Sequence, residues 1–227
     1  MTTVRLEVDG PVARVVLDRP EVLNAGDAEW VRDLNGVVTE LRRRSDLRVV
    51  VLTGAGRAFS TGVDLAALAS GRFGMEDFVA WEDAMTAIDE MEPVFIAALN
   101  GHCLGGGLQL ALVCDYRLAR EDALIGLARA SELILLGEPI SARDAERYGL
   151  VHRVVAAADF DRAVDETVAR FLATPPASLL ANKWLARRAF DFGFEEFRRE
   201  MQVRFARCLD SDDHRRAMAA IRARRRA

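Results

Sequence analysis

Two stretches of this sequence are richer in glycine than a strand or helix interior tolerates, and each follows a β-rich apolar run. Gly54-Ala55-Gly56-Arg57-Ala58-Phe59-Ser60-Thr61-Gly62 comes after Val49 to Thr53, and Gly101-His102-Cys103-Leu104-Gly105-Gly106-Gly107 comes after Val94 to Leu99. Bare backbone at such turns can bring N–H groups close to a ligand, and three glycines opening a helix point its positive end at an oxygen. That is the chemistry of an oxyanion hole, although a tight strand-to-helix turn accounts for the second stretch equally well on its own. Neither stretch is a nucleotide fingerprint. The first has Phe59 where Gly-x-Gly-x-x-Gly needs its third glycine, and the second lacks the Gly-Lys-Ser/Thr of a phosphate loop. Ala58-Phe59-Ser60-Thr61-Gly62 has the outline of a nucleophile elbow but begins with Ala, and no Asp and His follow in a context that completes a hydrolase triad.

Other chemistries find little support. Cys103, Cys114 and Cys208 are odd in number with no Cys-x-x-Cys spacing, and His102, His152 and His214 are scattered. Neither a disulfide framework nor a metal site is expected, and a cytoplasmic location is the default. Of the 227 residues, 51% are apolar and 29% charged, which excludes disordered, collagenous and low-complexity classes. The net charge is -4, yet residues 198 to 227 carry an excess of Arg. Those arginines alternate with Asp210, Asp212, Asp213 and an apolar stripe, without an aromatic stacking platform, so no nucleic-acid partner is expected. Lys183 is the only lysine, a compositional bias that says little about function. No basic-then-apolar segment opens the chain at Met1, so a secretory leader is not expected. Residues 93 to 114 are uncharged and long enough to span a bilayer, but Asn100, His102, Gln109 and four glycines interrupt them. They read as buried rather than membrane-spanning.

The elements that would position the two turns are legible. Val4 to Val8 and Val12 to Leu17 flank Asp9-Gly10-Pro11 as a hairpin. Asp27 can cap a helix whose apolar residues Trp30, Val31, Leu34, Val37, Val38 and Leu41 recur at three or four. A buried strand at Val49 to Leu52 precedes a loop-like stretch, 54 to 74, and a helix from about Glu76 to Met91. Strands at Val94 to Leu99, Tyr116 to Ala119, Leu124-Ile125 and Val151 to Val155 alternate with helices at Leu108 to Val113 and from Ser141 to Tyr148. From Asp159 only helices are expected: to Ala173, Pro175 to Phe190, Phe194 to Leu209, and Ser211 to about Arg224. The third carries Phe194, Phe197, Met201, Phe205, Cys208 and Leu209 as a stripe suited to a core or a neighbouring subunit. The division is an α/β part over 1–157 and a helical region over 158–227, with no internal repeat visible.

Taken together, the turns resemble the signatures of the crotonase superfamily, the enoyl-CoA hydratase/isomerase family. Arg19-Pro20-Glu21-Val22-Leu23-Asn24-Ala25 is similar to the family's Arg-Pro-x-x-x-Asn-Ala turn, Val51 to Leu65 to its first signature, and Asn100 to Asp115 to its second. Ala130 to Gly137, Ile140-Ser141-Ala142, Gly149-Leu150-Val151 and the Pro175-Pro176 helix continue the likeness. The resemblance implies an α/β fold, a spiral of β-β-α units with C-terminal helices that mediate a homotrimer or a hexamer. It implies an acyl-CoA thioester as substrate, with coenzyme A part of that substrate and no separate cofactor. It assigns the oxyanion hole to the N–H groups of Val63 and Gly106, and substrate binding to Val22, Ala25, Ala58, Ser60, Asp64, Leu65 and Gly105. Leu68, Phe73, Met75, Phe78 and Trp81 are candidates to shape an acyl pocket, or else are core.

The sequence also departs from the family. Hydration uses two glutamates there, the first three residues after the middle glycine; this chain has Gln109, which hydrogen-bonds but does not transfer protons. The second belongs to a Pro-Glu pair after the strand that Ile125-Gly126-Leu127 resembles. Here Ala128-Arg129 pass directly to Ala130-Ser131-Glu132-Leu133, so a segment of the active-site wall is absent from these 227 residues. Loss of that wall would expose the core around Leu127 and Ile134, which favours a natural polypeptide that carries the segment. Glu132 matches a helix position and, like His102 and Asp64, reads as structural. Gln109 remains a candidate to orient water or substrate. The expected activity is that of an acyl-CoA enzyme acting through a stabilised enolate; the alternative is a non-catalytic acyl-CoA binder or assembly subunit.

Overall fold

A computed structural model describes residues 2–126, 138–188 and 191–224. They fall into two compact units, residues 1–166 and 167–227. The division lies inside a helix, Phe160–Ala173, whereas the change from strand to helix that set the expected boundary at 157 comes earlier. Phe160, Ala163 and Val164 on its first turns are buried.

The first unit is built from strand, short strand and helix in repetition. β1 (Val4–Asp9) and β2 (Val12–Leu17) form the expected hairpin, and α1 (Ala28–Arg42) follows, its N-terminus capped by Asp27 accepting from Trp30 N at 2.9 Å. β3 (Val49–Gly54), β4 (Ala58–Ser60), α2 (Leu65–Ala69) and α3 (Met75–Glu90) make one turn of the spiral. β5 (Val94–Leu99), β6 (His102–Leu104) and α4 (Gly106–Leu112) make the next. β7 (Tyr116–Arg120) and β8 (Leu124–Gly126) begin a third. β9 (Ile140–Ser141), α5 (Ala142–Arg147) and β10 (Arg153–Val155) close the unit. Among the described residues one sheet runs β1-β2-β3-β5-β7-β10, parallel from β2 onward. A smaller sheet runs β4-β6-β8-β9, with β9 antiparallel. Every residue of β5 is buried, as expected for a central parallel strand, so residues 93 to 114 divide between core strands and a short helix.

Three elements differ from expectation. β4, β6 and α2 lie where the sequence reads as loop, because three- to five-residue elements give no periodicity to detect. β4 and β6 pair in parallel, Ala58 opposite His102 and Ser60 opposite Cys103, so both glycine-rich turns belong to one sheet. A three-dimensional repeat therefore exists without a sequence repeat. The junction between Leu127 and Ala130, together with Glu132, lies outside the described residues.

The second unit continues from the end of α6 (Phe160–Ala173) into α7 (Pro176–Arg188), α8 (Phe194–Leu209) and α9 (Asp212–Arg224). Cys208 donates to Ala177 O at 3.4 Å, and the Arg204 guanidinium lies 3.5 Å from the centre of the Trp184 ring. Arginine and acid pair one helical turn apart at Arg198–Glu195, Arg215–Asp212 and Arg216–Asp213. The local positive excess is thus partly neutralised in place. Neither α7 nor α8 has a buried residue, and Phe194, Met201, Phe205 and Leu209 on the stripe are exposed in the single chain.

Candidate active site

The site begins with two side-chain amides, one buried and one partly exposed, that tie three strand-ends together. Asn24 is fully buried in a left-handed turn, which Asn tolerates better than most residues. Its Oδ1 accepts from Arg19 N at 2.8 Å, and its Nδ2 donates to Ala55 O and Ala58 O at 2.9 and 2.8 Å. Asn100 works from the other side: Oδ1 accepts from Gly54 N at 3.0 Å, while Nδ2 donates to Gly56 O at 3.0 Å and Ala58 O at 3.3 Å. The carbonyl of Ala58 thus receives both amides. The sequence marks Asn24 as part of a turn motif, but its role in joining that turn to β4 emerges only in three dimensions.

Ser60 and Asp64 continue the framework. The Ser60 hydroxyl, fully buried, donates to Asn24 O at 2.9 Å and accepts from Gly62 N at 3.1 Å. Asp64 caps α2 by accepting from Ala66 N and Ala67 N, and its other oxygen lies 3.5 Å from Arg19. Arg19 also pairs with Asp27 at 2.9 Å and donates to Ala25 O at 2.6 Å, so one guanidinium joins the N-caps of α1 and α2. The sequence offered no signal for that bridge beyond the Arg19-Pro20 pair.

This framework presents the two backbone donors. Gly26 and Val63 form an isolated parallel bridge in which Gly26 N donates to Gly62 O at 2.7 Å and Asp64 N donates to Gly26 O at 2.9 Å. In that pattern the Val63 N–H points away from Gly26. Gly62, at φ +90°, lies against the second turn: a Cβ there would sit 2.6 Å from Gly106 N. Gly105 adopts φ 52° and ψ -126°, open only to glycine, and Gly106 begins α4. Helix bonding starts later, with Leu108 and Gln109 donating to Gly105 O, so Gly106 N has no intrahelical partner. Among the described residues neither Val63 N nor Gly106 N donates a hydrogen bond. Gly107 must also lack a side chain, because a Cβ there would strike the backbone of Ser60.

The remaining candidates divide between interior and surface. Ala25 and Ala58 are buried, Val22 and Leu65 are exposed, and Gln109 projects to solvent from α4 one turn after Gly106. Of the candidate acyl-pocket residues, Phe73 and Trp81 are buried, whereas Leu68, Met75 and Phe78 are exposed. His102 lies on β6 and is half-buried. Burial pushes the Cys103 thiol well above its usual range, leaving it neutral and unreactive. Among the described residues no group of His, Cys, Asp and Glu has the clustering of metal ligands, and no helix is long and apolar enough to cross a membrane.

Comparison with known proteins bears on the whole arrangement. The profile of the family described as enoyl-CoA hydratase/isomerase matches in two pieces, residues 7–129 and 123–226. (E)-Benzylidenesuccinyl-CoA hydratase of Thauera aromatica is 36% identical, with 81% of each chain covered. The short-chain-enoyl-CoA hydratase of Clostridium acetobutylicum is 26% identical over 247 positions, covering 97% of this chain and 95% of that protein. A Thermobifida fusca protein of the enoyl-CoA hydratase class, solved in complex with acetoacetyl-CoA, superimposes with a TM-score of 0.82 at 29% identity, covering 92% of this chain and 96% of that one. The chain belongs to the enoyl-CoA hydratase/isomerase family of the crotonase superfamily, a family of enzymes.

Proposed function

We propose that this protein binds an acyl-CoA thioester and polarises its carbonyl with the N–H groups of Val63 and Gly106. The observation that carries the reading is the convergence of two turns that leave these two backbone donors without a partner among the described residues while Gly62 abuts Gly106. Charge that moves onto the thioester oxygen as an enolate forms is stabilised by both donors, and loss of one such donor typically costs ~3 kcal/mol of transition-state stabilisation. Coenzyme A enters as part of the substrate, and no separate cofactor is required. Val22, Ala25, Leu65 and Gly105 flank the substrate, Ala58, Ser60 and Asp64 support the turns that hold it, and Gln109 orients water or substrate from α4. The complexed Thermobifida fusca structure supports a CoA thioester as ligand.

Gln109 also favours a second reading, a non-catalytic acyl-CoA binder, because an amide stands where proton transfer needs a carboxylate. The two readings separate on a panel of enoyl-, dienoyl- and malonyl-type CoA thioesters. Turnover of any member supports the enzyme, whereas tight binding without turnover supports the binder. Preference for a thioester over the CoA thioether lacking the carbonyl oxygen tests the hole itself. The exposed apolar stripe of α8 supports self-association, as a homotrimer or hexamer by the family resemblance, which light scattering would report as three or six times the chain mass and which Phe205→Asp should weaken.

A further inference from the structure

We infer that Trp81 is a positioning residue that sets the spacing of the two backbone donors; the inference rests on reading Val63 and Gly106 as an oxyanion hole. Trp81 lies on α3, a helix that contributes neither donor, yet its indole touches the backbone that carries each of them. A Cβ at Gly26 would lie 2.6 Å from Cζ3 of Trp81, and one at Gly106 would lie 2.9 Å from Cζ2 and 3.3 Å from Cη2. Gly26 is the residue whose N–H and C=O grip Gly62 and Asp64 on either side of Val63. The benzo edge of one ring therefore stands between the bridge that fixes Val63 and the helix start that fixes Gly106. This explains on steric grounds why both positions are glycine.

The ring is itself held firmly. Trp30 of α1 stacks on it with centroids 4.7 Å apart and planes at 27°, and would also meet a Cβ at Gly26, at 2.9 Å. Asn35 of α1 donates to Ala80 O at 2.9 Å, fixing the residue before Trp81 in register with α1. Trp81 is 3% exposed, and its Nε1 and that of Trp30 are buried without a hydrogen-bond partner among the described residues. An unpaired indole N–H is unfavourable in a core, and a phenyl ring would avoid it. What the position uses is therefore the length and flatness of the bicyclic outline. Shortening that outline removes the spacer between the two donors, and a displacement of the order of 1 Å in such a site typically costs about 100-fold in rate.

The test compares the wild-type protein with Trp81→Phe, Trp81→Leu and a control core truncation, Val38→Ala, on the buried face of α1. Two readouts are taken: the ratio of affinities for a 2-enoyl-CoA thioester and its CoA thioether analogue, and the red shift of cinnamoyl-CoA absorption on binding. Trp81→Leu should lose about 10-fold or more of the thioester preference and most of the red shift, with Trp81→Phe intermediate, since hole geometry rather than CoA binding is altered. Where a substrate turns over, kcat falls further than KM rises. Val38→Ala should melt earlier while keeping the ratio and the shift. Folded Trp81→Phe or Trp81→Leu protein that keeps the wild-type ratio and shift would overturn the inference and leave Trp81 as ordinary core. A wild-type protein that does not distinguish thioester from thioether would instead overturn the oxyanion-hole reading, and the inference with it.

Discussion

Two asparagines and one arginine hold together turns that are far apart in sequence. Asn24 makes three hydrogen bonds from a fully buried, left-handed position, so Asn24→Ala leaves Arg19 N and Ala55 O unpaired, leaves Ala58 O only its longer bond from Asn100, and forces Ala into an unfavourable backbone region. The expected cost is about 3 kcal/mol or more in urea unfolding at constant m-value. Asn24→Asp keeps the acceptor but turns a buried carboxylate oxygen on the carbonyls of Ala55 and Ala58, so it should cost at least as much as Asn24→Ala. An unfolding midpoint for Asn24→Ala equal to wild type would mean that these bonds contribute nothing net. Arg19 is the parallel case for charge. Its pairing with the partly buried Asp27 and Asp64 means that removing the arginine abandons two carboxylates rather than one.

At the level of elements, the spiral depends on strand edges sealed by side chains from neighbouring turns. Arg117 of β7 donates to Leu150 O and Cys114 O, both at 2.7 Å, and so fixes the loop after α4 and the approach to β10. Beside it His152 stacks on Tyr116, with centroids 4.8 Å apart, and its Nδ1 accepts from Arg117 N at 3.1 Å. Burial, and then the nearby Arg117 charge, lower the His152 pKa, so the folded protein favours the neutral acceptor. The unfolded chain binds the proton more readily, so this contribution is complete above the ordinary histidine value of ~6.5 and is lost as pH falls below it towards the folded value. The melting temperature should therefore drop from pH 7.5 to pH 5.5 by more in wild type than in His152→Gln; equal drops would exclude His152 as the cause. Legibility in the sequence follows the same scale. α1 and the β1–β2 hairpin are evident because amphipathic spacing and a Gly-Pro turn mark them. The second sheet is hidden because β4 and β6 have three residues each and owe their strand geometry to one another. Likewise Val63 and Gly106 follow from motif resemblance, whereas the work of Trp81, Arg19 and Asn100 depends on contacts across turns that no local pattern encodes.

At the scale of the whole molecule, chain length is the quantity to measure. The family profile breaks where its two pieces meet at 123–129. The alignment with the Clostridium acetobutylicum hydratase spans 247 positions, more than the 227 residues of this chain, so some positions of that relative have no counterpart here. The natural polypeptide is expected to have an intact mass a few kilodaltons above 25.1 kDa, and the carboxylates of the additional segment then become the acid and base to mutate first. A mass of 25.1 kDa would move the weight to the binding reading. The shared anchoring of Ala58 O by Asn24 and Asn100 has one more consequence, in chemical ageing. Asn100 is followed by Gly101, the pairing most prone to cyclise and deamidate in a flexible chain, yet the amide is immobilised by Gly54 N and Gly56 O. Conversion to aspartate at this one position would therefore accumulate only in molecules whose turns have come apart, a slow chemical clock recording how often the site opens.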